Sequence, residues 1–314
     1  MDNQKPRETS PGKGIKKLMS KIEKAEAKLK AAAGSEDRKE AHKEVYDLKA
    51  QLAWQYLDAK EFEKAAKIYE KLPRDAHIRG RYCGKARILI ETQKFDEARG
   101  LLEEALAKLP DDVPVLNTLG ILFNQTGDYY EALRYFDRAH AVDPQNNPAP
   151  VFNKVFSLRN LGYYEEEHKL LLELLKGDPG NTDFIAELAY CEGQRGNYRE
   201  AMEGCKKALE NGYETPQLYT WLCKAYLKLD CMHELFAAAL EGVSKFPDQN
   251  AELYTFLGMG HMALEQFEDA RRALEQGLAV DPEAEGISEL LGTIAMVSKT
   301  KEARRAKKKA RGQR

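Results

Sequence analysis

Residues 117–144 read NTLGILFNQTGDYYEALRYFDRAHAVDP, with two segments of helical apolar spacing on either side of a polar turn at TGD. Gly120 is followed, at steps of twelve, four, three and five residues, by Ala132, Phe136, Ala139 and Pro144. The same steps recur at Ala86, Ala98, Leu102, Ala105 and Pro110, and at Gly258, Ala270, Leu274, Gly277 and Pro282. This recurring order of small, small, large, small and proline predicts a tandem repeat.

Aligned on these positions, residues 46–284 divide into seven units of about 34 residues each. Each unit contains a first amphipathic helix, a turn of Gly or a polar residue followed by an aromatic, and a second helix. We expect Gly120 to let the second helix approach closely near Ala132 and Ala139. Because one helix pair cannot bury both of its faces, each unit must stack on the next.

The order Leu-Gly, an aromatic, Ala, a second aromatic, Ala and Pro resembles the tetratricopeptide repeat (TPR). In the quoted unit it is carried by Leu119, Gly120, Phe123, Ala132, Phe136, Ala139 and Pro144. The resemblance covers residues 45–284 and implies an all-α fold, a right-handed α-solenoid or TPR superhelix. It also implies that the first helices line a concave groove and that the second helices lie outside.

Both ends of the array differ from the repeats. We expect a disordered segment at 1–12, a helical hairpin that caps the array at 13–45, a capping helix at 285–298 and a basic tail at 299–314. Ile15, Leu18 and Ile22 begin an apolar stripe in the N-terminal segment. This stripe fits either the capping hairpin of a monomer or a short coiled coil that forms a weak dimer.

Composition favours a soluble helical protein. Of the 314 residues, 43% are hydrophobic and 32% are charged, and no segment approaches the ~20 apolar residues that span a bilayer. The polar N-terminus lacks the apolar core of a signal peptide, so we expect a cytoplasmic protein. The five cysteines contain no CxxC pair, which favours reduced thiols over disulfides or a zinc site.

Catalytic signatures are missing from the sequence. It contains no HExxH, no GxSxG and no Gly-rich phosphate loop, and its six histidines lie far apart along the chain. We therefore expect a protein that is not an enzyme, with no catalytic residues, no cofactor and no metal ligands.

The resemblance assigns the inward positions of each first helix to a protein-binding groove. These positions hold Trp54, Arg87, Asn117, Ile121, Asn124, Phe152, Phe156, Arg159, Tyr190, Lys224 and Met259. Rings and a thioether bury area at low entropic cost, while Asn and Arg can bond the backbone or carboxylates of a bound segment. The other interpretation is that some of these aromatics pack between repeats.

The C-terminal tail is strongly basic. Residues 299–314 hold nine Lys or Arg against Glu302 alone, a net charge of +8 in a chain of net charge −2. The run includes Arg304, Arg305, Lys307, Lys308, Lys309 and Arg311. It fits a solvated helical extension, a nonspecific contact with ribosome, RNA or DNA phosphates, or a contact with anionic lipid or the acidic body.

The leading hypothesis is a non-catalytic scaffold that binds a peptide or protein segment in the groove, as an adaptor, assembly factor or chaperone-like holder. The alternative is a ribosome- or nucleic-acid-associated factor that uses the basic tail.

Overall fold

The computed structural model describes residues 11–72, 78–144 and 148–312, and every regular element within these ranges is an α-helix. The chain divides into two compact units, residues 1–162 and residues 163–314. The helices of the first unit are α1 Pro11–Ala31, α2 Ser35–Asp58, α3 Phe62–Lys71, α4 Ile78–Glu91, α5 Phe95–Lys108, α6 Val113–Thr126, α7 Tyr129–Val142 and α8 Ala149–Asn160. Those of the second unit are α9 Tyr164–Gly177, α10 Thr182–Gln194, α11 Tyr198–Glu210, α12 Pro216–Lys228, α13 Met232–Lys245, α14 Ala251–Ala263, α15 Phe267–Val280 and α16 Ile287–Gly312.

Each unit is a stack of helix pairs. In the first unit every helix packs on the next one along the chain, and α2, α4, α6 and α8 also contact one another in that order. In the second unit α10, α12, α14 and α16 form the corresponding row. The second helices of the pairs pack on these rows. The all-α solenoid prediction is confirmed, whereas the right-handed superhelix stays a prediction.

The turns inside the helix pairs share one backbone conformation. Gly127, at φ 82°, adopts the left-handed conformation between α6 and α7, and its N–H is bonded to Asn124 O. The equivalent residue is also left-handed in the turns at Lys60, Gln93, Gly162, Gly196, Asp230 and Glu265. Because four of these seven residues are not glycine, the repeat imposes the turn even where the side chain disfavours it.

The small residues of the repeat accept large side chains from the second helix. A Cβ added at Gly120 would lie 2.4 Å from Cε1 of Phe136, and one at Gly258 would lie 2.7 Å from Cγ of Leu274. Both large residues are fully buried. The atoms nearest to this site belong to the Phe136 ring, and the expected close approach near Ala132 and Ala139 stays a prediction.

Two predicted boundaries fall inside continuous helices. The predicted cap at 13–45 and the first repeat from residue 46 are joined by α2, because Ser35–Asp58 contains no Gly or Pro. The predicted capping helix at 285–298 and the basic tail at 299–314 are likewise joined in α16. The predicted disordered segment at 1–12 lies outside the described residues up to residue 10, and α1 begins at Pro11.

The N-terminal apolar stripe is used within the chain. Ile15, Leu18 and Ile22 of α1 are buried in one cluster with Leu52 of α2. This packing is what a capping hairpin requires, and it occupies the side chains that a coiled coil would need. At the other end, Ile287 and Ile294 of α16 are buried against Leu274 of α15.

A polar clamp recurs at equivalent positions of two repeats. Tyr219 OH donates to Glu241 over 2.8 Å, and Lys245 Nζ donates to Glu214 over 2.7 Å, to Glu241 over 2.8 Å and to Tyr219 OH over 2.9 Å. These hydrogen bonds, that from Lys245 to Glu214 most of all, raise the pKa of Lys245 above its usual range. Tyr82, Glu104 and Lys108 form the corresponding set in the first unit.

We predict that Gly120→Ala lowers the free energy of unfolding by about 1–3 kcal/mol, because the new methyl group overlaps the buried Phe136 ring. Gly100→Ala is the matched control, since a Cβ there meets no atom within 4 Å inside helix α5. It should raise stability by about 0.5–1 kcal/mol. Thermal melts followed by circular dichroism measure both changes. A stabilising effect of Gly120→Ala would contradict the packing described above.

Thiol reactivity tests the core. Cys205 is buried, and desolvation raises its pKa to about 12, so it stays protonated at pH 8. Burial also raises the pKa of Cys223, and Cys83 and Cys191 are buried as well. Cys231 at the start of α13 is partly exposed. We predict one fast thiol per native chain in a colorimetric disulfide-exchange assay at pH 8, and five after denaturation. Cys231→Ser should remove the fast phase, and a remaining fast phase would show that the core opens.

Candidate protein-binding groove

The first-helix rows bring the groove residues of each unit onto neighbouring helices. In the first unit they lie on α2, α4, α6 and α8, and in the second unit on α10, α12 and α14. The first set consists of Trp54, Arg87, Asn117, Ile121, Asn124, Phe152, Phe156 and Arg159, and the second of Tyr190, Lys224 and Met259. That these side chains bind a partner stays a prediction.

Trp54 and Arg87 form the α2–α4 part of this surface. The guanidinium of Arg87 lies 5.3 Å from the centre of the Trp54 ring, a cation–π contact between adjacent first helices. The Trp54 side chain nevertheless remains 43% exposed. An exposed indole held in place by a neighbouring cation is a rigid apolar surface that a partner could cover.

Asparagines connect α6 to α8. Asn153 donates from Nδ2 to Asn117 Oδ1 over 2.9 Å, and Ser157 donates from Oγ to Asn124 Oδ1 over 2.6 Å. Asn124 is buried, and its Nδ2 donates to Asn153 O over 3.4 Å. Both amide atoms of Asn124 are thus engaged in joining the two helices. Asn117 is partly exposed, and its Nδ2 group has no acceptor among the described residues, so it can donate to a further acceptor.

Helix α8 contributes the most exposed ring of the set. Phe156 is 45% exposed, and Tyr129 of α7 meets its ring edge-on at a centroid distance of 6.2 Å. Phe152 and Arg159 on the same helix are half-buried. Ile121 of α6 is also half-buried and packs against the core of the first unit. The α6–α8 surface therefore combines one open ring with partly covered neighbours.

The second unit places an aromatic pair on its first helices. Tyr190 of α10 meets Trp221 of α12 edge-on at a centroid distance of 4.3 Å, and Lys224 Nζ lies 4.6 Å from the centre of the Trp221 ring. Lys224 also forms a 3.0 Å ion pair with Glu252 of α14. Met259 of α14 is half-buried against the core of this unit.

Trp221 was missing from the sequence-based set. It lies one position beyond the inward register, and the rotation that brings its ring beside Tyr190 depends on contacts between helices. A Cβ at Gly193 of α10 would lie 3.3 Å from the Trp221 ring, so the missing side chain there makes room for the indole. Gly193 can be read from the sequence, but its contact with the Trp221 ring cannot.

The described residues add two further findings. No described helix has the length and apolar character needed to cross a bilayer. Within the same part of the chain, no three His, Cys, Asp or Glu side chains are grouped so that they could hold a metal ion. The basic side chains Arg304, Arg305, Lys307, Lys308, Lys309 and Arg311 lie outside the described side chains, although the backbone of α16 is helical to Gly312.

Known proteins share this architecture at low sequence identity. A chain in the crystal structure of the APC/C hetero-tetramer Cut9–Hcn1 superimposes with a TM-score of 0.67 at 16% identity, over 88% of this chain and 55% of that one. PilW, a type IV pilus biogenesis factor, gives 0.59 at 23% identity over 68% and 98%. A tetratricopeptide repeat protein from Parabacteroides merdae gives 0.56 at 18% identity over 80% and 98%. These similarities show the fold.

Two curated relatives align with parts of the chain. The TPR repeat-containing protein YpiA of Bacillus subtilis (strain 168) is 23% identical over 251 residues, 77% of this chain. The Arabidopsis thaliana protein CTR9 homolog is 28% identical over 156 residues, 48% of this chain. The chain spans 56% of the first relative and 14% of the second.

Family models match both units. Residues 47–185 match the N-terminal TPR repeats region of Psidin, and residues 257–305 match a tetratricopeptide repeat model. The two ranges together cover more than half of the chain, and they contain the small-to-large helix packing described above. The chain belongs to the tetratricopeptide repeat family.

Proposed function

We propose that this protein is a non-catalytic scaffold that binds segments of partner proteins along its first-helix rows. The observation that carries the proposal is the pair of open rings, Trp54 and Phe156, on the row of the first unit. Both rings project from helices that also contribute buried residues to the core, Ala53 and Leu57 in α2 and Val155 and Leu158 in α8. A partner that covers them removes apolar area from water at about 25 cal/mol per Å².

The polar groups near these rings suit a polypeptide ligand. Arg87 beside Trp54 can pair with a carboxylate, and the Nδ2 group of Asn117 can donate to a backbone carbonyl. Aromatic side chains with Arg and Asn at their edges are typical of protein interfaces. The similar fold in the Cut9–Hcn1 structure belongs to a hetero-tetramer, which also supports a binding role.

Within this proposal the protein acts in the cytoplasm as an adaptor, an assembly factor or a chaperone-like holder. Its mechanism is surface complementarity, with no bond made or broken. The buried thiols fit this role, because protonated, desolvated sulfur is a poor nucleophile. The alternative, a nonspecific ribosome or RNA contact through residues 299–314, rests on the net charge of +8 in the tail.

We predict that Trp54→Ala with Phe156→Ala weakens partner capture about tenfold or more, since both changes remove open rings from the groove. Tyr130→Ala with Leu240→Ala is the matched control, because it removes exposed apolar side chains from the second helices α7 and α13. Immobilised full-length protein is used for affinity capture from a lysate of its source, followed by quantitative mass spectrometry. Circular dichroism checks that each variant melts as the parent does.

The controls separate the two functions. Capture that survives 0.5 M salt and deletion of residues 299–314 but is lost in the Trp54/Phe156 variant supports the groove. Capture that is unchanged in this variant, or lost equally in the Tyr130/Leu240 control, would overturn the proposal. Capture that vanishes only with the tail or with salt would favour the nucleic-acid alternative.

A further inference from the structure

A cavity of about 450 Å³ lies between α1 and α2 at the start of the first-helix row. It is lined by Gly14, Lys17, Leu18, Lys21, Gln51, Trp54 and Gln55. Leu18 and the exposed indole of Trp54 provide apolar surface, and the two lysines belong to the exposed side of α1. Its volume lies within the range of about 300–1,000 Å³ typical of ligand pockets, so it has room for a large side chain of an incoming segment.

The cavity contains a buried acceptor. Gln55 Oε1 is shielded from solvent and receives no hydrogen bond from the described residues. A Cβ at Gly14 would lie 3.1 Å from both amide atoms of Gln55, so the missing side chain of Gly14 gives the Gln55 amide room against α1. An incoming backbone N–H can reach the oxygen once the Gln55 amide turns toward the cavity, and such a turn is favoured because a buried acceptor without a donor is unfavourable.

The surroundings of the cavity are basic. Lys17, Lys21 and Arg87 form no ion pair with the described residues, and Arg87 is held over the Trp54 ring. Other lysines on the same two helices do have carboxylate partners: Lys28 pairs with Glu44 over 2.9 Å, and Lys49 pairs with Glu26 over 2.7 Å. The lining of the cavity therefore contains two lysines without a carboxylate among them, an excess of positive charge.

We propose that this cavity binds an acidic segment of a partner protein in which one aromatic or large aliphatic side chain is flanked by Asp or Glu. The apolar side chain lies against Trp54 and Leu18, its backbone N–H donates to Gln55 Oε1, and the flanking carboxylates pair with Lys17, Lys21 and Arg87. The inference rests on the proposed function, because Trp54 also belongs to the groove.

The test uses the full chain carrying Trp221→Phe, which leaves Trp54 as its single tryptophan. The probe is the peptide DEDFEDE, blocked at both ends, and the control peptides are KRKFKRK and DEDGEDE. We expect DEDFEDE to shift the emission of Trp54 to shorter wavelength, because the ring becomes covered. The basic peptide and the peptide without a large apolar side chain should leave the emission unchanged. Unchanged emission with DEDFEDE would overturn the proposal.

Charge reversal localises the site. Lys17→Glu with Lys21→Glu should weaken binding of DEDFEDE about tenfold, since two rim charges become repulsive. Lys16→Glu with Lys30→Glu is the matched control, with the same change in net charge at exposed positions of α1 outside the cavity, and its Kd should stay within about twofold of the parent. Equal weakening in both variants, or none in the first, would overturn the proposal.

The two proposals fail in different ways. If DEDFEDE does not bind while capture of natural partners still depends on Trp54 and Phe156, only the acidic-segment inference is wrong. If capture does not depend on those rings but the peptide binds at the cavity, the groove proposal is wrong and the cavity stands as a separate site.

Discussion

The structure depends on one recurring contact between the two helices of a pair. In it, a large side chain of the second helix lies over a glycine of the first helix. Phe136 over Gly120 and Leu274 over Gly258 are the same contact in two repeats. Each contact fixes the rotation of the two helices about their axes. A rotation of either helix would push the large side chain against the Cβ of a neighbouring residue or leave a void. Once the pair is locked, its remaining apolar faces can be covered only by the next pair.

This constraint also explains where a binding surface can form. One face of each first helix packs on its own second helix, and another packs on the neighbouring pair. A first helix therefore keeps one strip of side chains that these contacts do not bury. Trp54 and Arg87 occupy that strip on adjacent helices, and their cation–π contact shows how one repeat can orient a side chain of the next. The rigid scaffold thus presents side chains that are free to vary.

The repeat and its turns could be predicted because every unit repeats the same local solution, and the steps from Gly120 to Pro144 return in other units. The predicted boundary between residues 45 and 46 falls inside helix α2, because the repeat register marks the start of a unit at a point where the chain, lacking Gly and Pro, does not interrupt the helix. The roles of Asn124 and Trp221 depend on which side chain of a neighbouring helix lies within hydrogen-bond or ring-contact distance. The sequence of a single helix contains no pattern that predicts such contacts with the neighbouring helix.

The two units differ in whether the cationic side chain beside their exposed tryptophan or aromatic pair has a carboxylate partner. This difference affects which charge a bound segment should carry. In the second unit Lys224 lies over Trp221 and is neutralised by Glu252, so its aromatic pair offers little net charge to a ligand. In the first unit Arg87 lies over Trp54 with no carboxylate partner among the described residues. Exposed ion pairs contribute little affinity, whereas unmatched charges strongly disfavour partners of like sign. In the proposed binding role, the rings would therefore supply affinity in both units, while the choice between acidic and basic segments would be made mainly in the first.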